Sequence, residues 1–251
     1  PEQEPKMRSI IPRVLAIGAT CMASMANAAL FDRGHGIYYD DVLNVSWLQD
    51  ANYARSQYVS SAGAFGDADG KMNWNEATTW ANSLNFAGYD DWRLPSVSPV
   101  NGTDFNLTYS DTGSTDFGYN LGKPSSELAY MHYSNLKNAS LYAPFGVRNG
   151  CGNNLPDQCM LNTLPFTNVQ PAEYWTGTEI APGSDSVFHF NTAIGLQYGS
   201  TKTGDERFAW AVRDGDVTAV PEPKSLLMML FGFLSLLIVR NGLKSVCRRT
   251  E

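Results

Sequence analysis

Apolar residues recur at helical spacing most clearly in residues 74–96. Ala77, Trp80, Ala81 and Leu84 fall on one face at i, i+3, i+4 and i+7. Asn73 stands where a cap belongs and Glu76 follows three residues later, the spacing of a capping box. The pattern predicts a short amphipathic helix. Gly88 then permits a turn, Trp92 and Leu94 point one way around an outward Arg93, and Pro95 ends the extended piece. A buried pair of indoles from this stretch is the expected nucleus.

Elsewhere the periodicity shortens to two. Aromatic and β-branched runs on either side of Asp40 and Asp41 predict a hairpin, with Val45 and Trp47 on its inner face. Residues 51–69 mix Ala, Ser, Gly and Asp without sustained period, which predicts a loop with at most a helical turn. Residues 97–123 read as a long polar excursion, and excursions of that length often carry function. A second helix is expected from Ser125 or Ser126, with Glu127 in its first turn and Leu128, Met131 and Leu136 on its buried side. Strands are expected at 174–178, 187–190, 194–198 and 207–213, the last alternating Phe208, Trp210 and Val212 with small alanines. Asn191 and Thr192 would turn one hairpin. The fold class expected is α+β, with two short helices on twisted antiparallel sheets and long loops.

Charge divides the chain into three. Residues 29–221 hold 21 acidic and 10 basic side chains, a net of −11, while the flanks hold 4 acidic and 8 basic, a net of +4, giving −7 overall. The acidic middle argues against nucleic acid as a partner, because phosphates would be repelled. The N-terminal flank begins with an apparent upstream extension, residues 1–6. Arg8 and Arg13 then precede a mostly apolar run, and Ala26-Asn27-Ala28 fits the small-residue cleavage rule. A secretory signal peptide over residues 1–28, cut after Ala28 by signal peptidase, is expected; a short buried helix is the alternative. Export would place the remainder where disulfides persist. Of four cysteines, Cys21 and Cys247 lie in the flanks, so Cys151 and Cys159 are expected to pair, with free thiols or a ligand pair as the alternative.

The C-terminal flank, residues 217–251, carries Val220-Pro221-Glu222-Pro223, an apolar span at 225–239 and a basic tail at 240–251. This arrangement resembles the PEP-CTERM sorting signal of Gram-negative bacteria that make extracellular polysaccharide. The resemblance implies recognition of Pro221, Glu222 and Pro223 by a membrane exosortase. It also implies transient anchoring in the inner membrane through a transmembrane helix, then residence at the cell surface or in the extracellular matrix. The basic tail orients the acidic domain outward. A plain membrane anchor is the alternative, and its cationic residues are more dispersed than is usual in the family.

The intervening domain, residues 29–216, matches one family in order. The matching pieces are Asn44-Val45-Ser46-Trp47-Leu48, the helix with Trp74 and Trp80, Asp91-Trp92-Arg93-Leu94-Pro95, the helix from Glu127, Tyr174-Trp175-Thr176-Gly177-Thr178-Glu179, and Ala209-Trp210-Ala211-Val212-Arg213. It resembles the Lcl C-terminal-like domain, and its Trp-Arg-Leu-Pro and Tyr-Trp elements are similar to the C-type-lectin-like superfamily. The resemblance implies a surface ligand binder. Sulfated glycans bound by characterised relatives fit poorly with a net charge of −11.

Candidate chemistry is sparse. Asp67 and Asp69, with Asn73 and Glu76 beyond Gly70, resemble part of a calcium loop, but Phe65 occupies the first ligand position and Glu76 is also claimed by the helix cap. No cofactor is expected, with calcium the alternative. His35, His132 and His189 are scattered and accompany no nucleophile elbow or zinc spacing, and His189 between Phe188 and Phe190 is expected to face outward. Trp47, Trp80, Trp92, Trp175 and Trp210 are assigned to the core, and Tyr119, Tyr142 and Tyr198 to exposed ligand contacts. Together these readings predict an exported, exosortase-sorted, non-enzymatic module that binds surface or exopolysaccharide glycans through loops at 97–123 and 149–170. A polysaccharide-acting hydrolase and a structural matrix protein are the alternatives.

Overall fold

Asp40 begins the first turn by accepting hydrogen bonds at Oδ1 from the backbone N–H groups of Val42 and Leu43, both at 3.0 Å. Asn44 completes it in the left-handed region that Asn tolerates better than most residues (φ 53°). This closes the expected hairpin between β2 (Ile37–Asp40) and β3 (Val45–Leu48), with β1 (Leu30–Asp32) antiparallel on the outer side of β2. The computed structural model describes residues 30–151 and 159–217. Cleavage after Ala28, the Pro221-Glu222-Pro223 motif and the apolar span at 225–239 lie outside the described residues. Among the described residues, no helix is long and apolar enough to cross a membrane.

The capping box forms as read: Asn73 Oδ1 accepts from Glu76 N at 3.1 Å, and Glu76 Oε2 accepts from Asn73 N at 3.0 Å. It starts α2 (Trp74–Asn82), which buries Ala77, Trp80 and Ala81. A helix not foreseen, α1 (Tyr53–Ser60), occupies much of the segment expected to be loop. It buries only Ala54, and Asn52 makes no side-chain cap bond. Its weak amphipathic signature follows, since tertiary contact rather than periodicity holds it in place. The third helix, α3 (Glu127–Tyr130), is capped by Ser126 and runs on into a π turn, Met131–Asn135. The described residues therefore hold three α-helices rather than two.

A seven-stranded sheet carries the rest. It is built from β4 (Lys71–Met72), β5 (Tyr109–Ser110), β6 (Phe117–Tyr119), β9 (Glu173–Glu179), β10 (Ser186–Asn191), β11 (Leu196–Thr201) and β12 (Arg207–Phe208). The order across it is β4-β12-β9-β10-β11-β6-β5, with parallel pairings of β12 with β9 and of β5 with β6. A small ribbon pairs β7 (Tyr142–Ala143) with β8 (Val147–Arg148). The 97–123 excursion is thus partly sheet. Buried Asp116 pins it by accepting from Val100 N at 2.8 Å and Asn106 N at 2.6 Å.

The run expected as one strand at 207–213 divides between sheets: β12 joins the large one, and β13 (Val212–Asp214) pairs with β3 in the four-stranded sheet. Every side chain from Arg207 to Val212 is buried, so alternation could not reveal the break. Trp210 sits at the junction, its Nε1 donating to Leu48 O at 2.7 Å and its ring edge-on to Trp47 at 5.0 Å. Among the described residues the contacting indole pair is therefore Trp47 with Trp210, not a pair within 74–96; Trp92 packs on Phe86 instead. All five tryptophans assigned to the core are buried. Arg93 does point away from Trp92 and Leu94, but into a bridge: its Nη2 is 2.8 Å from Glu127 and 2.5 Å from Asp214.

Candidate functional site

Gly70 fixes the loop that leads into α2. Its φ is +87°, and an added Cβ would stand 1.8 Å from Asn52 Oδ1, so the loop folds against α1 only with glycine there. On either side each acidic side chain has one oxygen engaged locally. Asp67 Oδ1 accepts from the N–H groups of Asp69 and Gly70 at 3.1 and 3.0 Å, and Asp69 Oδ1 accepts from Lys71 N at 3.0 Å. The last bond, chiefly, holds the Asp69 pKa below its ordinary value. Asn73 and Glu76 are engaged with each other in the cap. Among the described residues no group of three or more His, Cys, Asp or Glu could hold a metal ion. The competition for Glu76 goes to the helix cap.

These residues nevertheless share a surface. The loop at 64–69, edge strand β4 and the exposed side of α2 enclose a groove of about 840 Å³. Asp67, Asp69, Glu76 and Glu206 bring carboxylates to it and Lys71 a cation. Phe65, 66% exposed, supplies an open ring, while Trp80 closes the inner end with its Nε1 donating to Gln57 Oε1 at 3.0 Å. Glu206 comes from the far end of the chain and was not among the sequence candidates. No local pattern marks it.

The three candidate tyrosines gather at the opposite end of the large sheet. Tyr119 on β6 is only 4% exposed, which corrects its assignment as a surface contact. Its ring packs against Tyr142 at 5.4 Å and Tyr109 at 6.1 Å, and burial pushes its hydroxyl pKa up to about 12. Tyr142 is half-buried, whereas Tyr198 is 45% exposed and lies against Phe117 at 4.5 Å. Tyr109, also exposed, was missed because the polar excursion around it shows no alternation.

His189 is buried, not outward-facing. Its Nε2 is 3.7 Å from Glu173, whose other oxygen accepts from Arg207 Nε at 2.7 Å, and the Arg207 guanidinium lies 4.4 Å from the Trp175 ring centroid. Burial first, and then the Arg207 charge, lower the His189 pKa to about 4, so the ring is neutral near pH 7. His132 is lowered to about 4 by burial alone, with its Nε2 2.9 Å from Ala139 O. Among the described residues no histidine hydrogen-bonds to a serine, threonine or cysteine side chain. Cys151 and Cys159 are joined as the expected disulfide.

Comparison with known proteins found no match among curated sequences and none among solved structures. A family profile described as the Lcl C-terminal domain matches residues 36–213, from the start of the β2 hairpin to the middle of β13. That span covers well over half of the 251 residues and both principal sheets, and the chain belongs to the Lcl C-terminal domain family.

Proposed function

We propose that this chain is a non-catalytic binding module that takes neutral or amino-sugar glycans of the cell surface or matrix in the groove between Phe65, Trp80 and Glu206. Family membership supports an extracellular or surface-associated location. The observation that carries the binding role is the groove itself: an exposed aromatic ring suited to the apolar face of a sugar, beside carboxylates that accept hydrogen bonds from hydroxyl or ammonium groups. Its charge disfavours sulfated or otherwise polyanionic chains. The sorting role belongs to the same reading: a signal peptide removed after Ala28, the domain at 29–216, and a tail processed at Pro221-Glu222-Pro223 by an exosortase. Calcium is not part of this reading: Asn73 Oδ1 and Glu76 Oε2 are engaged in the cap, and the remaining carboxylate oxygens are left to the glycan.

The test is binding of the purified full chain to an array of neutral, amino-sugar and acidic polysaccharides, with and without calcium, while reaction products are monitored. Saturable, calcium-independent binding without shortened products is expected. Phe65→Ala should weaken it about tenfold, the loss expected from about 1.4 kcal/mol of stacking and apolar contact. Release of shorter chains would replace the module with a hydrolase.

A further inference from the structure

A second cavity is lined by Asn52 and α1 on one side and by Asn168 and Gln170 on the other. Within α1, Arg55, Ser56 and Val59 line one face of it, with buried Asn52 just ahead of the helix turning its amide to Asp69 O at 3.3 Å, while Gln57 on another face meets Trp80. Against that first face stands the segment ending in Asn168 and Gln170, enclosing about 330 Å³. The backbone straps this segment in place: Ala51 N donates to Thr167 O at 2.9 Å, and Thr167 N donates to Gln49 O at 2.8 Å.

The hydrogen-bond inventory of this notch is unevenly satisfied. Asp50 fills three of its roughly four acceptor sites, taking Asn52 N at 2.9 Å and Asn168 Nδ2 at 3.0 Å on one oxygen and Ser56 Oγ at 2.5 Å on the other. It therefore orients Asn168 and Ser56 and has little capacity left for a ligand. The Gln170 amide donates to Asn168 O at 2.8 Å. Asn168 Oδ1 and Gln170 Oε1 accept nothing from the described residues, so two acceptors remain for a ligand's hydroxyls. Arg55 is the unusual member. Arg33, Arg93, Arg207 and Arg213 each bind a carboxylate and Arg148 has a partner, yet among the described residues the Arg55 guanidinium has none.

An unengaged guanidinium asks for an anion with two parallel acceptors, and the free amide oxygens ask for hydroxyl donors. A hexuronate carries both on a single ring. We infer that the notch between α1 and residues 167–170 binds a hexuronate unit, with its carboxylate on Arg55 and its hydroxyls on Asn168 and Gln170. This site is separate from the groove and does not rest on the glycan reading of it. The acidic domain repels long polyanions at a distance, but one carboxylate in contact with Arg55 is held at a range shorter than the screening length of about 8 Å in physiological salt.

The test is calorimetric titration of the full chain in physiological salt with D-glucuronate and D-galacturonate, each against its neutral hexose. At least one uronate should bind about tenfold or more tighter than its hexose, the scale of a charge-assisted bidentate contact. Arg55→Gln, an exposed substitution checked for folding by circular dichroism, should erase that preference. Arg55→Lys should keep part of it, because the point charge lacks the fork. Phe65→Ala, which tests the groove, should leave uronate binding unchanged. Two results would each overturn the site: uronates binding no tighter than hexoses, or a preference that survives Arg55→Gln.

Discussion

Buried His189 and His132 make the domain sensitive to mild acid. Each has its pKa lowered from the ordinary 6.5 to about 4, His189 by burial and the Arg207 charge, His132 by burial. Between those two values the unfolded chain binds protons that the folded chain refuses, so stability falls as pH falls through the window. Each histidine contributes a loss of up to about 3 kcal/mol across it. Asp40 acts in the opposite sense: burial raises its pKa, so protonation around that raised value favours the folded form and offsets part of the loss at the acid end. Urea unfolding from about pH 7 to about pH 4.5 should show a steady decline in midpoint, and His189→Gln should flatten it. An unchanged slope in that variant would remove His189 from the account.

At the scale of the element, α2 is stabilised by a local code and α1 is not. Asn73→Ala removes one bond of the capping box and should cost about 1 kcal/mol in urea unfolding, whereas Asn73→Gly should cost only a few tenths. Calcium should not restore either variant; a calcium-dependent rescue would return the acidic loop to the status of an ion site. The same contrast explains what could be read from the chain alone. The cap residues, the spacing of Ala77, Trp80 and Ala81 and the Asp40 turn lie within a few residues of one another, so short-range pattern sufficed. Complete burial from Arg207 to Val212 hides the change of sheet, so sequence pattern alone joins β12 and β13. Tyr119 reads as a surface residue because the polar excursion around it carries no sign that β6 is covered. In the groove, Asp67, Asp69 and Glu76 are sequence neighbours, but Glu206 arrives through the β4–β12 pairing. Arg55 and Asn168 likewise meet only through the backbone strap at Thr167. Those juxtapositions are properties of topology.

Across the whole molecule, the run from Arg207 to Asp214 makes the two sheets one cooperative unit. Strand β12 is hydrogen-bonded to β4 and β9, β13 is bonded to β3, and Val212 exchanges backbone bonds of 2.9 and 2.7 Å with Arg93, which in turn grips Glu127 on α3. Trp210 lies at the centre of this run, edge-on to Trp47 at 5.0 Å and to Phe166 at 4.9 Å, with Leu48 O as its acceptor. Neither sheet can open without exposing that indole. Tryptophan fluorescence and far-ultraviolet circular dichroism should therefore report a single coincident urea transition. Trp210→Phe leaves a cavity and strands the Leu48 carbonyl, at a cost of about 2–4 kcal/mol, a large part of the roughly 5–15 kcal/mol available to a domain. Because the loss falls at the junction, both signals should move together to lower urea. Separate transitions, with only one displaced by Trp210→Phe, would mean that the four-stranded and seven-stranded sheets fold independently.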